Sequence, residues 1–366
     1  MARRALADLP TPALLVDLDK LEANVTHMAG RAKSLGVALR PHVKTHKCIE
    51  IGRLQRDHGA SGITVSTLVE ARAFADHGFD DITWAFPVIL TRLTEARELA
   101  ERITLGLVLD SAEALAALER SGFPFTTWIK VDCGYHRAGV DPHSDDALRL
   151  VERLAKSKAL RFAGLLTHSG HAYHARGTDE IRAVAEEERR AMTDFAARLG
   201  KAGIAVPAVS VGSTPAMSQV QQLKGVQEMR PGNYVFYDYM QTVIGSCGVR
   251  DCALTVLASV VSNQRGTNHS VIDAGALALS KDAGLETYPQ ATMGELYEDY
   301  PSGTLMAGSR VVGLSQEHGF VSGVLPVGTR VRVLPNHSCL TAAQFDGYDV
   351  VRGDEVVDRW PIWRGR

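Results

Sequence analysis

Short apolar, β-rich runs alternate with amphipathic stretches over the first two-thirds of the chain. The strand-like runs fall at 37–43, 62–67, 81–86, 103–109, 126–132, 162–168, 208–212 and 228–236. Between them the apolar spacing turns helical, at 46–58, 68–77, 90–101, 112–121, 144–156 and 179–202, with a short last connection at 216–224. Asp110-Ser111 ahead of Ala112-Glu113 is an N-cap signal, and Asp179-Glu180 opens the long charged helix. Eight strands with a helix between each pair predict an α/β fold, a (β/α)8 barrel rather than an open sheet. A further strand at 12–17 and helix at 18–35 precede the set.

After about residue 245 the rhythm changes. β-Branched runs crowd together at 252–262, 269–273, 310–315, 329–334 and 348–358, and helical periods nearly vanish. The segment 282–305 reads as a long loop or insertion. The pattern divides the chain into a barrel over 11–245 and a β-rich domain over 246–366, to which residues 1–10 are joined. A length of 366 residues suits either two domains or one barrel with an appendage.

Composition narrows the partners. A formal net charge of −2, without a basic stripe interleaved with aromatics, argues against nucleic acid. No apolar run is long enough to span a bilayer, and the first residues lack the apolar core of a signal peptide. Five scattered cysteines do not form a disulfide framework and fit a reducing cytoplasm.

The candidate chemistry gathers at strand ends, where α/β barrels keep their active sites. Lys44 closes the first strand within Arg40-Pro41-His42-Val43-Lys44-Thr45-His46-Lys47. A lone surface lysine is ordinary. At a strand end, its amine can form a Schiff base with an aldehyde cofactor or a carbonyl substrate. Asp132 to Arg137 follow the fifth strand, and Thr167 to Tyr173 follow the sixth. Gly212-Ser213-Thr214 and Gly232-Asn233, after the seventh strand and at the eighth, have the makings of a phosphate cradle. With the lysine they suggest pyridoxal phosphate. Of the imidazoles His168, His171 and His174, at most one is expected to touch chemistry. Gln316-Glu317-His318-Gly319 reads as a turn without a chemical role.

A second candidate site lies in Pro335-Asn336-His337-Ser338-Cys339. If this segment is a strand, His337 and Cys339 share a face and can hold one divalent metal. Zinc comes first for that donor pair, ahead of manganese or magnesium. A buried packing cysteine beside a satisfied histidine is the plainer alternative.

These motifs, with Leu9-Pro10-Thr11-Pro12-Ala13 and Val65-Ser66-Thr67, resemble the eukaryotic-type D-serine dehydratases. They also resemble the related D-threonine and D-3-hydroxyaspartate enzymes of the alanine-racemase (fold type III) superfamily. The match runs over nearly the whole chain. The resemblance implies an alanine-racemase-like barrel with a C-terminal β domain, pyridoxal phosphate on Lys44 and a divalent metal on His337 and Cys339. It further implies that Tyr173 lines the cofactor, that Arg137 approaches its phenolate oxygen, and that the enzyme is a homodimer. The activity it implies is β-elimination from a D-3-hydroxy amino acid to a 2-oxo acid and ammonia. The alternative is retro-aldol cleavage to glycine and an aldehyde, for which His171 is a candidate base. D-Threonine aldolases often carry His-x-Asp at the metal position, so Cys339 favours the dehydratase branch. A racemase, or a carrier that binds the cofactor without turnover, ranks lower.

Overall fold

The computed structural model describes residues 4–286 and 288–365. The chain divides into two compact units, one containing 28–44 and 51–232, the other containing 4–27, 45–50 and 233–363.

The first unit is a parallel barrel. Its strands are β1 (Ala38–Leu39), β2 (Ile63–Val65), β3 (Asp81–Pro87), β4 (Thr104–Leu109), β5 (Thr126–Lys130), β6 (Arg161–Leu166), β7 (Val209–Val211) and β8 (Glu228–Met229). Neighbours from β2 to β8 pair in sequence order, and β8 returns to β1. The ring closes through a parallel bridge between His42 and Thr64, where the Thr64 N–H donates to the Pro41 carbonyl at 2.8 Å. Leu107, Ile129, Leu165 and Val211 are buried in successive strands, as expected where both faces of a parallel sheet are covered. The longest helix, Thr178–Lys201, buries Ile181, Ala185, Glu188, Met192, Phe195 and Leu199 at alternating spacings of four and three. Glu188 occupies a position on that same stripe.

Two barrel strands are shorter than the apolar runs predict. The run at 37–43 pairs only over Ala38–Leu39 before the 3-10 turn Val43–Thr45. The run at 228–236 pairs over Glu228–Met229 and turns at Asn233–Val235. Pro41 and Pro231 explain both, since neither has an N–H for the ladder. The first helix begins at Ile49 rather than 46, and the last connection holds only Thr214–Gln219.

Polar groups line the inside of this barrel. Arg40, 8% exposed, donates from Nε to Glu228 Oε2 at 2.6 Å and from both Nη atoms to the Asp81 carboxylate at 2.9 and 2.7 Å. The Ser210 hydroxyl donates to Glu228 Oε1 and accepts from Arg230 Nε, each at 2.6 Å. Arg230 Nη2 donates to the Thr167 carbonyl. Burial weakens each ion by itself, yet Asp81 and Glu228 outweigh it and raise the Arg40 pKa.

The second unit is built on a ten-stranded sheet. Six of its strands close on themselves: Leu254–Gln264, His269–Ile272, Gly319–Ser322, Thr304–Leu314, Gly294–Asp299 and Arg330–Pro335, the last pairing back to the first. The strand at 12–17, read as preceding the barrel set, is Ala13–Asp17 and is hydrogen-bonded into this sheet. It lies antiparallel to Leu254–Gln264 and parallel to Gly347–Arg352. All five of its residues are buried. The apolar run at 348–358 is a hairpin, not one strand, and turns where Gly353 takes φ +55°. The expected loop over 282–305 contains a strand, Gly294–Asp299, and the start of another at Thr304. Its sequence, Gly-Glu-Leu-Tyr-Glu-Asp, has little β propensity, and pairing on both sides holds it extended. Two short helices, Ala276–Leu279 and Ser338–Ala342, also interrupt the β-rich region.

Removing one partner of the Arg40 cluster leaves a buried charge without compensation. Glu228→Ala is expected to cost about 3–5 kcal/mol in denaturant unfolding. Arg97→Ala, which breaks the exposed Arg97–Glu101 pair, serves as the control and is expected to cost less than about 1 kcal/mol.

Candidate active site

In the barrel unit, the functional side chains follow the C-terminal ends of β1 and β5 to β8. Lys44 sits in the turn directly after β1, its backbone N–H 3.4 Å from His42 Nδ1. The charge of Lys44 is felt by His168, which follows β6. Burial first, then the charges of Lys44 and Lys130, push the His168 pKa well below its ordinary value. His168 is therefore neutral. Its Nδ1 lies 3.1 Å from the Gly212 carbonyl, which can only accept. The proton is thus assigned to Nδ1, leaving Nε2 as an acceptor.

After β5, Asp132 Oδ1 accepts the Gly134 and His136 N–H groups, each at 3.0 Å, and shapes the loop bearing Arg137. The Arg137 guanidinium is exposed and lies 5.0 Å from the centre of the Tyr135 ring. Its charge also reaches Lys130 and His168. Tyr173 and His171 both lie in the 3-10 turn Gly170–His174. Both His171 ring nitrogens are buried without a hydrogen-bond partner, and its ring centre is 6.3 Å from that of Tyr135.

The phosphate residues are partly assembled. Ser213 Oγ caps the Ala216 N–H and lies 3.2 Å from Ser169 Oγ. Thr214 Oγ1 accepts the Gly232 N–H at 3.2 Å, so these two are brought together. Gly212 has φ +117°, and a Cβ there would approach Met217 Cγ to 2.8 Å. Both the positive φ and the close packing of Met217 therefore call for glycine here. Asn233 differs from the expectation. Its side-chain amide donates to Asp238 Oδ2 at 2.7 Å and Ser338 Oγ at 2.9 Å, all three residues belonging to the second unit.

Three buried ions behind these loops escaped the sequence analysis as site residues. Glu188 accepts from the backbone N–H groups of Ser169 at 3.1 Å and Gly212 at 2.9 Å, and from Ser169 Oγ at 2.9 Å. It thereby joins the loops after β6 and β7. Burial raises its pKa against the pull of those donors. A glutamate on the apolar stripe of the long helix was the signal. Arg230 is the second, its pKa lowered by burial. Lys130 is the third. Burial, with the charges of Arg230 and Arg137, pushes its pKa down to about 7.

The second unit holds the candidate metal ligands. His337 and Cys339 do not lie on a strand as expected. The strand ends at Pro335, His337 is the N-cap of the helix Ser338–Ala342, and Cys339 is in its first turn. The two side chains nevertheless lie near enough for each to shift the ionisation of the other. Burial alone would raise the Cys339 thiol, but His337, with Thr45 beside it, brings it down to about 7. Cys339 Sγ lies 3.3 Å from Thr45 Oγ1 and 3.6 Å from Asn233 Nδ2. Burial likewise opposes the His337 charge, and Cys339 and Asp282 outweigh it, holding the pKa well above its ordinary value. Asp238, 1% exposed, accepts from the Ser338 N–H at 2.9 Å and the Gln241 N–H at 3.0 Å and fixes the start of the helix. Among the described residues no cluster of three or more His, Cys, Asp or Glu side chains suited to a metal occurs. Imidazole and thiolate together suit zinc, with further positions left to water or substrate.

A closed parallel barrel with a lysine after its first strand, attached to a β unit, is the architecture of alanine-racemase-like proteins. Residues 16–240 match the family model described as alanine racemase, N-terminal domain, and residues 253–351 match a putative serine dehydratase domain. The chain belongs to the family that joins these two domains, in which the D-serine dehydratases and D-threonine aldolases fall. It is 39% identical to the D-threo-3-hydroxyaspartate dehydratase of Delftia sp. (strain HT23), over 98% of this chain and 99% of that protein. Against the D-serine dehydratase of Dictyostelium discoideum identity is 35%, over 96% and 95% of the two chains. Against the D-threonine aldolase of Arthrobacter sp. it is 30%, over 98% and 93%. The solved Delftia dehydratase superposes with a TM-score of 0.94 over 99% of this chain and 100% of its own, at 38% identity. Solved variants of that dehydratase include a histidine-to-alanine change and a cysteine-to-alanine change two positions later, the latter in a metal-free form.

The Lys130 pKa of about 7 lies below its ordinary 10.5, so the unfolded chain binds a proton that the folded chain releases across this range. The penalty is fully present below pH 7 and fades as pH climbs towards 10.5. In cofactor-free protein, Lys130→Met is expected to be more stable than the parent near pH 7, by at most about 5 kcal/mol, with the difference shrinking by pH 10. Denaturant unfolding across that pH range measures it.

Proposed function

We propose that the protein is a lyase acting on D-3-hydroxy amino acids, with pyridoxal phosphate on Lys44 and a divalent metal, zinc, on His337 and Cys339. The reaction is β-elimination of the 3-hydroxyl, giving a 2-oxo acid and ammonia. The observation that carries this reading is the pairing of His337 and Cys339, each shifting the ionisation of the other, in a chain whose Lys44 follows the first barrel strand. Thr45, beside the Cys339 sulfur, is the next residue after Lys44 in the sequence.

Pyridoxal phosphate supplies an electron sink that acidifies the Cα–H of a bound amino acid. A metal supplies Lewis acidity at the 3-hydroxyl, which is a poor leaving group near neutral pH. The chain's residues then have separate tasks. The Lys44 amine carries the cofactor and, when freed, removes the Cα proton. Ser213, Thr214 and the backbone N–H groups of Gly232 and Asn233 bind the phosphate. Arg137 approaches the phenolate oxygen, and Tyr173 lines the ring. His168, neutral and anchored on Gly212, contributes an acceptor without adding positive charge.

Elimination is favoured over retro-aldol cleavage by the thiolate donor at Cys339 and by the stronger similarity to dehydratases. Retro-aldol cleavage remains the second reading because His171 has two unpartnered ring nitrogens and is a candidate base for the hydroxyl proton. The proposed working form is a homodimer in a reducing cytoplasm, consistent with five free thiols.

Purified protein is expected to be yellow, with borohydride fixing the cofactor on a Lys44 peptide and Lys44→Ala losing both colour and turnover. Label on another lysine would overturn the assignment. Incubation with D-serine, D-threonine and D-3-hydroxyaspartate is expected to release ammonia, not aldehyde. Chelation and Cys339→Ala are each expected to abolish ammonia release while the cofactor absorbance persists, with zinc restoring only the chelated protein. Full ammonia release from metal-free protein would remove the metal from the reading.

A further inference from the structure

We infer that Asp282 is the positioning residue that fixes the His337 ring so that its Nε2 faces the metal. The inference rests on the metal reading above. Asp282 Oδ2 lies 2.9 Å from His337 Nδ1. As a metal ligand the imidazole must be neutral and carry one proton, and a carboxylate acceptor places that proton on Nδ1. The lone pair is then on Nε2, and the ring cannot rotate without losing a charge-assisted hydrogen bond. Metal-bound histidines commonly use such a partner.

Asp282 is itself held in place. Its Oδ1 accepts the Gly284 N–H at 2.9 Å, and its backbone N–H donates to Ser280 Oγ at 3.3 Å. Its carbonyl accepts from Asn336 Nδ2 at 3.0 Å, and Asn336 is the residue before His337. The turn thus grips both its own carboxylate and the segment that presents the imidazole. Ser280 adopts φ +65° and ψ 169°, a region otherwise almost restricted to glycine. Such a conformation persists where surrounding contacts impose it. Asp238, the other carboxylate near His337, is occupied by Ser338, Asn233 and Gln241. Positioning the ring falls to Asp282.

The test is the zinc dissociation constant of full-length, cofactor-loaded protein, stripped of metal and titrated in competition with a chromophoric chelator. Asp282→Ala and Asp282→Asn are expected to weaken binding roughly 10–100-fold. Asp282→Glu is expected to recover most of the loss, with melting temperature and cofactor absorbance unchanged throughout. The Asn variant is isosteric and decides the matter if the Ala variant fails to fold. Parental affinity in both the Ala and Asn variants overturns the inference, as does a loss that Glu does not rescue, which would assign Asp282 to the turn alone. His337→Ala separates the two levels. If the parent shows no zinc binding that this change removes, the metal reading itself fails.

Discussion

The barrel depends on how it pairs one buried guanidinium. Arg40 is nearly shielded from water and would be prohibitively costly there alone, so its donors must meet fixed acceptors. They meet Asp81 at the start of β3 and Glu228 in β8, with Arg40 itself just past β1. Three strands are thereby held in register. The same network continues through Ser210 in β7 and Arg230 to the backbone after β6. Lys44 is four residues beyond Arg40, and its position inherits the precision of that pairing. Hydrophobic burial makes the barrel compact, whereas these directional bonds decide where the strand ends stop.

The candidate metal ligands follow a similar rule in the other unit. His337 and Cys339 lie where a strand gives way to a helix, and each has partners that restrict it. Asp238 secures the helix start, Asp282 the imidazole, and Thr45 and Asn233 flank the sulfur. Short hydrogen bonds to carboxylates hold a ring more firmly than apolar packing does.

Much of this was legible in the sequence, for identifiable reasons. The barrel strands announce themselves as apolar runs because both their faces are covered. Lys44 was recoverable from its strand-end place, and His337 with Cys339 from donor chemistry. The local geometry of that pair was not, since His337 is an extended N-cap, φ −139°, ahead of a helix that begins at Ser338. Gly294–Asp299 was missed because its extended form comes from its neighbours, not its residues. Asp282 and Asp238 acquire meaning only from partners 55 and 100 residues away. Glu188 was readable in principle, as an acid on an apolar stripe, but its targets in two loops were not. Asn233 follows β8 as read, but its amide is taken up by Asp238 and Ser338 within its own unit.

The Glu188 bonds have a consequence for engineering. The loops after β6 and β7 are not independent modules, because their backbone amides share one carboxylate carried by a helix that begins after the first loop and ends before the second. Transplanting either loop into another barrel would leave its amides without an acceptor. Recombination of this scaffold therefore has a natural cassette, the continuous segment from β6 through Thr178–Lys201 and β7 to Gly212 in the loop that follows, and crossovers inside it would separate the anchor from what it holds.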